Sequence, residues 1–170
     1  PAGLLSVPIK DNKSKSAKDY IEQILKNRGV LNKFNQAYVV HRLDRDTSGV
    51  MMFALNPIAQ KKLTENWKTI VKSRLYRAVA ENPLNPKYKL EKTGTIDEKL
   101  AKNSHHVGYV PKDDKNLKTV EAKTHYTIIQ EGKTHTLFEL SLETGKKNQI
   151  RAHRASKKYI LAGDNNYKAN

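Results

Sequence analysis

Tyr38-Val39-Val40-His41-Arg42-Leu43-Asp44-Arg45-Asp46-Thr47-Ser48-Gly49 runs from an apolar strand into a turn and sets a carboxylate between two arginines. Val39, Val40 and Leu43 read as strand. Asp46-Thr47-Ser48-Gly49 reads as turn chemistry, with Gly49 free to take a positive φ. Val50, Met51, Met52, Phe53 and Ala54 then resume an apolar run that predicts a buried strand.

Asp44 therefore falls at a strand end, with Arg42 two residues before it and Arg45 beside it. Guanidinium groups at that range hold a carboxylate as the anion. Such an anion serves as a nucleophile or base, and it serves equally as half of a structural ion pair. Local chemistry leaves both open. A metal loop does not fit. Asp44, Asp46, Ser48 and Gly49 mimic the early positions of an EF-hand, but the place of its bidentate Glu is taken by Leu55, and two arginines oppose a cation.

The 170 residues suit one domain able to bury a core. Against 17 Asp and Glu stand 32 Lys and Arg, a net charge of +15. Such a surplus points to a polyanionic partner, most simply nucleic acid. The plain alternative is a lysine-rich composition with no such partner. The chain has no cysteine, which excludes disulfides, thiolate zinc sites and cysteine nucleophiles. No apolar run approaches the roughly 20 residues of a membrane span. No secretory pattern opens the chain, so a cytoplasmic monomer with no membrane partner is expected.

Residues 10–18 form a lysine- and serine-rich stretch expected to be exposed. Ser16 followed by Asp19 is a capping signal for a helix with Tyr20, Ile21, Ile24 and Leu25 on its apolar stripe, closed at Gly29. A second helix is expected after Asn56, with Pro57 in its first turn and Ala59, Leu63, Trp67 and Ile70 or Val71 on one face. Trp67 reads as a core anchor in preference to a base-stacking platform. Strands follow at about 74–81, 93–100, 120–130 and 134–143, and the last alternates Phe138, Leu140 and Leu142 with polar residues. Lys112 to Lys118 is a charged loop or hairpin. A last helix is expected from about Asn148 to Lys157. The absence of regular βαβ alternation favours an α+β fold with a largely antiparallel or mixed sheet and flanking helices. His105, His106, His125 and His135 show no ligand spacing and read as structural or solvent-facing.

The string His41 to Gly49 closely resembles the catalytic motif of the RluA-type pseudouridine synthases. Pro1-Ala2-Gly3-Leu4 resembles that family's first motif, without the Lys that normally enters it. Arg74-Leu75-Tyr76-Arg77-Ala78 resembles its Lys/Arg-x-Tyr-x-Ala segment, and Leu142 to His153 its late Thr-Gly-Arg-x-x-Gln-(Ile/Leu)-Arg-x-His motif. Gly163-Asp164-Asn165-Asn166-Tyr167 falls where the family places Gly-Asp-x-x-Tyr. The order of all five agrees with the family.

The resemblance implies the pseudouridine synthase fold for residues 1–170, as a catalytic domain incomplete at its ends and without an S4-type RNA-binding module. It implies isomerisation of uridines in structured ribosomal or transfer RNA, with no cofactor and no metal. Asp44 is then the catalytic carboxylate, Arg151 the cation paired with it, and Tyr76 the active-site tyrosine stacked on the target base. Arg42 is implied to occupy the space left by a flipped base. His41, Arg45, Arg74, Lys146 and Lys147 flank the motifs as candidate RNA contacts, as does Lys72. Some positions depart from the pattern: Lys146-Lys147-Asn148 replaces Arg-Thr-His, Lys158 and Ile160 stand for Gly and Pro, Lys168 replaces a Gly, and Asn82 takes the place of a Gly after the tyrosine motif. The rival reading is a non-catalytic RNA-binding module with a retained basic cleft; the motif context of Asp44, Tyr76 and Arg151 weighs against it, because binding alone does not call for an Asp in a polyanion site.

Overall fold

In the computed structural model, which describes residues 1–9, 14–113 and 115–168, the chain divides into two compact units, Pro1–Lys72 and Ser73–Asn170. Residues 10–13 of the lysine-rich stretch, and Asp114 of the charged loop, lie outside the described residues. Helices accompany antiparallel sheets in an α+β arrangement.

In the first unit, Ser16 opens helix α1 (Ala17–Asn27) through a full capping box: its N–H donates to the Asp19 carboxylate at 2.7 Å and its Oγ accepts from the Asp19 N–H. Two further first-turn N–H groups find carbonyls outside the helix. Ala17 donates to Leu5 at 2.7 Å and Lys18 to Ser6 at 3.4 Å, so the orphan donors of the helix start are met from an earlier segment. Gly29 takes φ +68 just past the helix end, as a left-handed stop requires. The expected apolar stripe is only partly covered, since Tyr20 and Ile24 are exposed.

Asn56 caps helix α2 (Pro57–Glu65), its Oδ1 accepting from Ala59 N–H at 2.8 Å. The single long helix expected there is instead two. Asn66 closes α2 with its Nδ2 on the Lys62 carbonyl at 2.9 Å, and a short helix α3 (Trp67–Ile70) follows. The Lys62 carbonyl accepts from both the side chain and, at 3.3 Å, the N–H of Asn66, which closes the helix there.

Strands β1 (Tyr38–Val39) and β2 (Phe53–Ala54) pair antiparallel over two residues each. The expected buried strand from Val50 is therefore wrong in extent: Val50 is 91% exposed and Met52 is exposed as well. Side chains end this ladder. The Met52 N–H donates to His41 Nε2 at 3.0 Å, and the Val39 carbonyl accepts from Gln60 Nε2 at 2.8 Å. With those backbone groups taken, Val40 and Leu43 lie beyond the strand.

The second unit is built on a four-stranded antiparallel sheet, in the order β3 (Leu75–Glu81), β8 (His135–Leu142), β7 (Lys123–Glu131) and β4 (Thr93–Asp97). Between β4 and β7 the chain makes a small hairpin of β5 (Ala101–Lys102) and β6 (Gly108–Tyr109). Alternation along β8 buries Phe138 and Leu140, which join Ala80, Ile96, Tyr126, Ile128 and Tyr159 in the core. Full burial of each large apolar side chain stabilises by about 1.5–3 kcal/mol. Helix α4 (Gln149–Ser156) starts one residue after Asn148, which takes the left-handed conformation at φ 57.

Candidate active site

Asp44 opens a four-residue turn: its carbonyl accepts from the Thr47 N–H at 3.0 Å. Leu43, just before it, is held at both backbone groups by one hydroxyl. Ser6 Oγ accepts from Leu43 N–H at 3.1 Å and donates to the Leu43 carbonyl at 2.9 Å. The rest of the turn is strapped by the N-terminal segment. Gly3 N–H donates to the Arg45 carbonyl at 2.7 Å, Arg45 Nε donates back to the Gly3 carbonyl at 3.3 Å, and Ala2 N–H donates to Ser48 Oγ at 2.9 Å. Pro1 to Ser6 and Leu43 to Ser48 thus form one local structure. Asp44 is half-buried within it, while Arg42 and Arg45 are exposed.

Gly49 does not take a positive φ; it is absent from the residues in that region. Its small size matters instead, because a Cβ there would meet Leu43 Cδ1 at 3.3 Å. His41 is half-buried against Trp67, their ring centroids 4.8 Å apart. Burial pushes its pKa below the ordinary value, and an Nε2 that accepts a backbone N–H belongs to the neutral ring. His41 therefore shapes the strand pair that enters the turn.

The late motif is organised by Gln149, which is buried. Its Oε1 accepts from Thr144 Oγ1 at 2.8 Å and from Lys146 N–H at 3.0 Å. Its Nε2 donates to the Lys123 carbonyl at 3.0 Å and to Thr124 Oγ1 at 2.9 Å. The chain continues: Thr124 Oγ1 lies 2.9 Å from His153 Nδ1, and His153 Nε2 lies 2.9 Å from the Glu98 carbonyl. A carbonyl can only accept, so His153 carries its proton on Nε2 and Thr124 donates to Nδ1. Burial lowers the pKa of His153, in keeping with that neutral ring. Glu98 is also acted on by burial, which raises its pKa, but hydrogen bonds from Lys157 and Ser156 outweigh this and lower it.

Two residues along from Gln149, Arg151 projects a fork onto Asp164. Nε donates to Oδ2 at 2.7 Å and Nη2 to Oδ1 at 2.6 Å. The guanidinium also lies over the Tyr167 ring, 5.2 Å from its centroid. Tyr167 in turn donates its hydroxyl to the Gly108 carbonyl in β6. Gly-Asp-x-x-Tyr thereby orients the arginine from two sides. Arg74 has an equally local duty: Nη2 donates to the Leu142 and Glu143 carbonyls at 2.8 and 2.6 Å, which shapes the turn before Lys146. Lys146 and Lys147 are exposed on that turn. Tyr76 is half-buried, opposite Leu140 and packed against the core.

Several of these residues carried no signal in sequence. Ser6, Thr124 and Glu98 act through partners far along the chain, and Asp164 was visible only as a motif letter. Among the described residues, no group of three or more His, Cys, Asp or Glu is placed to hold a metal ion. No helix among them is long and apolar enough to cross a membrane.

A strapped carboxylate turn thus lies in one unit, and an arginine-bearing helix with an antiparallel sheet in the other, within an α+β arrangement. The chain belongs to the RNA pseudouridylate synthase family, whose description matches residues 1–156. It is 34% identical over 137 residues to the ribosomal large subunit pseudouridine synthase D of Haemophilus influenzae, covering 78% of this chain and 38% of that protein. The Escherichia coli protein of the same name is 35% identical over 132 residues, covering 76% of this chain and 37% of its own. The chain thus spans about two fifths of the length of the curated relatives it matches. Its fold is similar to that of a solved structure, human RNA pseudouridylate synthase domain containing 4. That likeness has a TM-score of 0.73 at 21% identity and covers 99% of this chain and 63% of the human one.

Proposed function

We propose that the protein to which this chain belongs isomerises specific uridines to pseudouridine in structured RNA, with Asp44 as the catalytic carboxylate. In this reaction the C1′–N1 bond of uridine breaks, the base turns, and a C1′–C5 bond forms. C5 gives up a proton and N1 gains one, so no atom is added and no redox step occurs. Glycosidases that bring in water generally use two carboxylates; returning the same base to the same sugar is work for one, in a site that excludes water. The target base has to leave its stack to be reached.

One observation carries this reading: Asp44 sits in a turn fixed on either side by Leu43–Ser6 and Asp44–Thr47 hydrogen bonds, inside the matched family segment. Tyr76 and Arg151 join the proposed catalytic set by motif position. Arg42, exposed and planar, suits stacking where a base has left. Arg45, Lys146 and Lys147 are proposed phosphate contacts, with His41 and Arg74 shaping the loops that present them. The names of the curated relatives favour ribosomal RNA over transfer RNA as the substrate.

The test is tritium release from RNA labelled at uridine C5, using the full-length protein and unmodified RNA of its own organism. Wild-type protein is expected to release tritium without added metal or nucleotide. Asp44→Asn is expected to bind the RNA and release none. Turnover by that variant beyond a trace would move the chemistry to another residue.

A further inference from the structure

We infer that Ser6 is a positioning residue for Asp44, an inference that rests on the reading above for its effect on turnover. Ser6 is 5% exposed, and its hydroxyl bonds both the N–H and the carbonyl of Leu43, 37 residues away, at 3.1 and 2.9 Å. The Leu43 carbonyl shares its peptide plane with the Asp44 nitrogen. A hydrogen bond to that oxygen therefore fixes the plane about which the Asp44 Cα pivots. The bond to Leu43 N–H fixes the preceding plane, between Arg42 and Leu43.

Ser6 is itself anchored where it can hold a load. Its carbonyl accepts from Lys18 N–H at 3.4 Å, and the neighbouring Leu5 carbonyl accepts from Ala17 N–H at 2.7 Å. Both donors are in the first turn of α1, which the Ser16–Asp19 capping box completes. The Asp44 turn is thus referenced to the end of an 11-residue helix through one hydroxyl. The straps from Ala2 and Gly3 hold the turn after Asp44, at Ser48 and Arg45. Among the described residues, Ser6 holds it before Asp44. An apolar side chain at position 6 leaves the Leu43 N–H and carbonyl in part-buried surroundings without this partner, and the backbone has to move to find water.

The test compares Ser6→Thr, which keeps a hydroxyl, with Ser6→Val, which has nearly the same shape and none, in the full-length protein. The readouts are steady-state tritium release from C5-labelled RNA, RNA affinity, and amide exchange at Leu43. Ser6→Val is expected to lower kcat roughly 10- to 100-fold, the range that a misplaced catalytic group produces. RNA affinity should stay within about twofold, because no RNA contact is removed, and Leu43 amide exchange should accelerate. Ser6→Thr is expected to keep kcat within a few-fold of wild type, by the same geometric argument. Unchanged kcat in Ser6→Val, or equal losses in both variants, would overturn the inference. If wild-type protein itself releases no tritium, the enzymatic reading fails, and Leu43 exchange in the two variants still decides whether Ser6 holds the turn.

Discussion

The Arg74 guanidinium occupies the space that a side chain on Gly145 would need: a Cβ at that glycine would stand 2.8 Å from Nη1. The arginine has little freedom to retreat, because Nη2 is committed to the carbonyls of Leu142 and Glu143. The glycine of the late motif is therefore explained by close approach, with its φ in the ordinary range.

The pair predicts a coupling. Gly145→Ala alone should destabilise by about 1 kcal/mol, because Arg74 has to give up part of its bonding. In an Arg74→Ala background the same change should cost little. A double-mutant cycle by urea denaturation should give a coupling of roughly 0.5–2 kcal/mol. Additive effects would mean that the two residues do not restrain each other.

Arg151 and Asp164 form a bidentate pair whose side chains are 18% and 8% exposed. Asp164→Ala should cost about 3 kcal/mol, because it removes both bonds of the fork from a largely buried guanidinium. Glu139→Ala, which breaks the far more open Arg77–Glu139 contact, should cost less than about 1 kcal/mol. Denaturation midpoints of the two variants check the contrast, and comparable losses would contradict it.

Arg154 is 0% exposed, and among the described residues none accepts a hydrogen bond from any of its three guanidinium nitrogens. Its carbon lies 3.7 Å from the Phe138 centroid, with the Tyr126 and Tyr159 rings 5.2 and 5.0 Å away. Burial brings its pKa down to about 10. Aromatic faces return part of the lost hydration, typically about 2 kcal/mol when desolvated, and leave the rest as a standing cost. Arg154→Met should therefore raise the unfolding free energy at neutral pH by about 1–2 kcal/mol. A lower stability would show that the rings fully offset the charge.

His153 and His41 both have pKa values depressed by burial. The unfolded chain then takes up their protons first, so their contribution to stability is present above the unfolded value of about 6.5 and is lost as pH falls below it. Each should add a slope of up to ~1.4 kcal/mol per pH unit in that range. Unfolding free energies measured between pH 7.5 and 5.5 should fall, and His153→Asn should flatten the dependence. An unchanged slope in that variant would place the titration elsewhere.

What could be read from sequence was whatever has a near partner. Ser16 with Asp19 and Asn56 with Ala59 announced helix starts, and the alternation of Phe138 and Leu140 announced one face of a sheet. Val50 and Met52 misled because hydrophobicity was read as burial, when side chains of His41 and Gln60 had taken the backbone groups a longer strand needs. The burial of Arg154 was not legible in sequence, because only the fold brings three aromatic rings around it. The Asp44 motif was plain, but the hydroxyl that holds it lies 37 residues away, a distance at which local pattern carries no information.

The hydrogen bonds through Gln149 run in one sense, from its amide through Thr124 to His153 and on to Glu98, with Thr144 and Lys146 feeding its oxygen. A relay with a direction has no half-formed version: turning the amide over would face donors to donors and acceptors to acceptors at once. The basic turn, the strand β7 and the helix that carries Arg151 are therefore joined by one connected set of hydrogen bonds. The turn that bears Lys146 and Lys147, proposed above as phosphate contacts, is tied down by this wiring, so on that proposal adaptation on binding falls to the RNA.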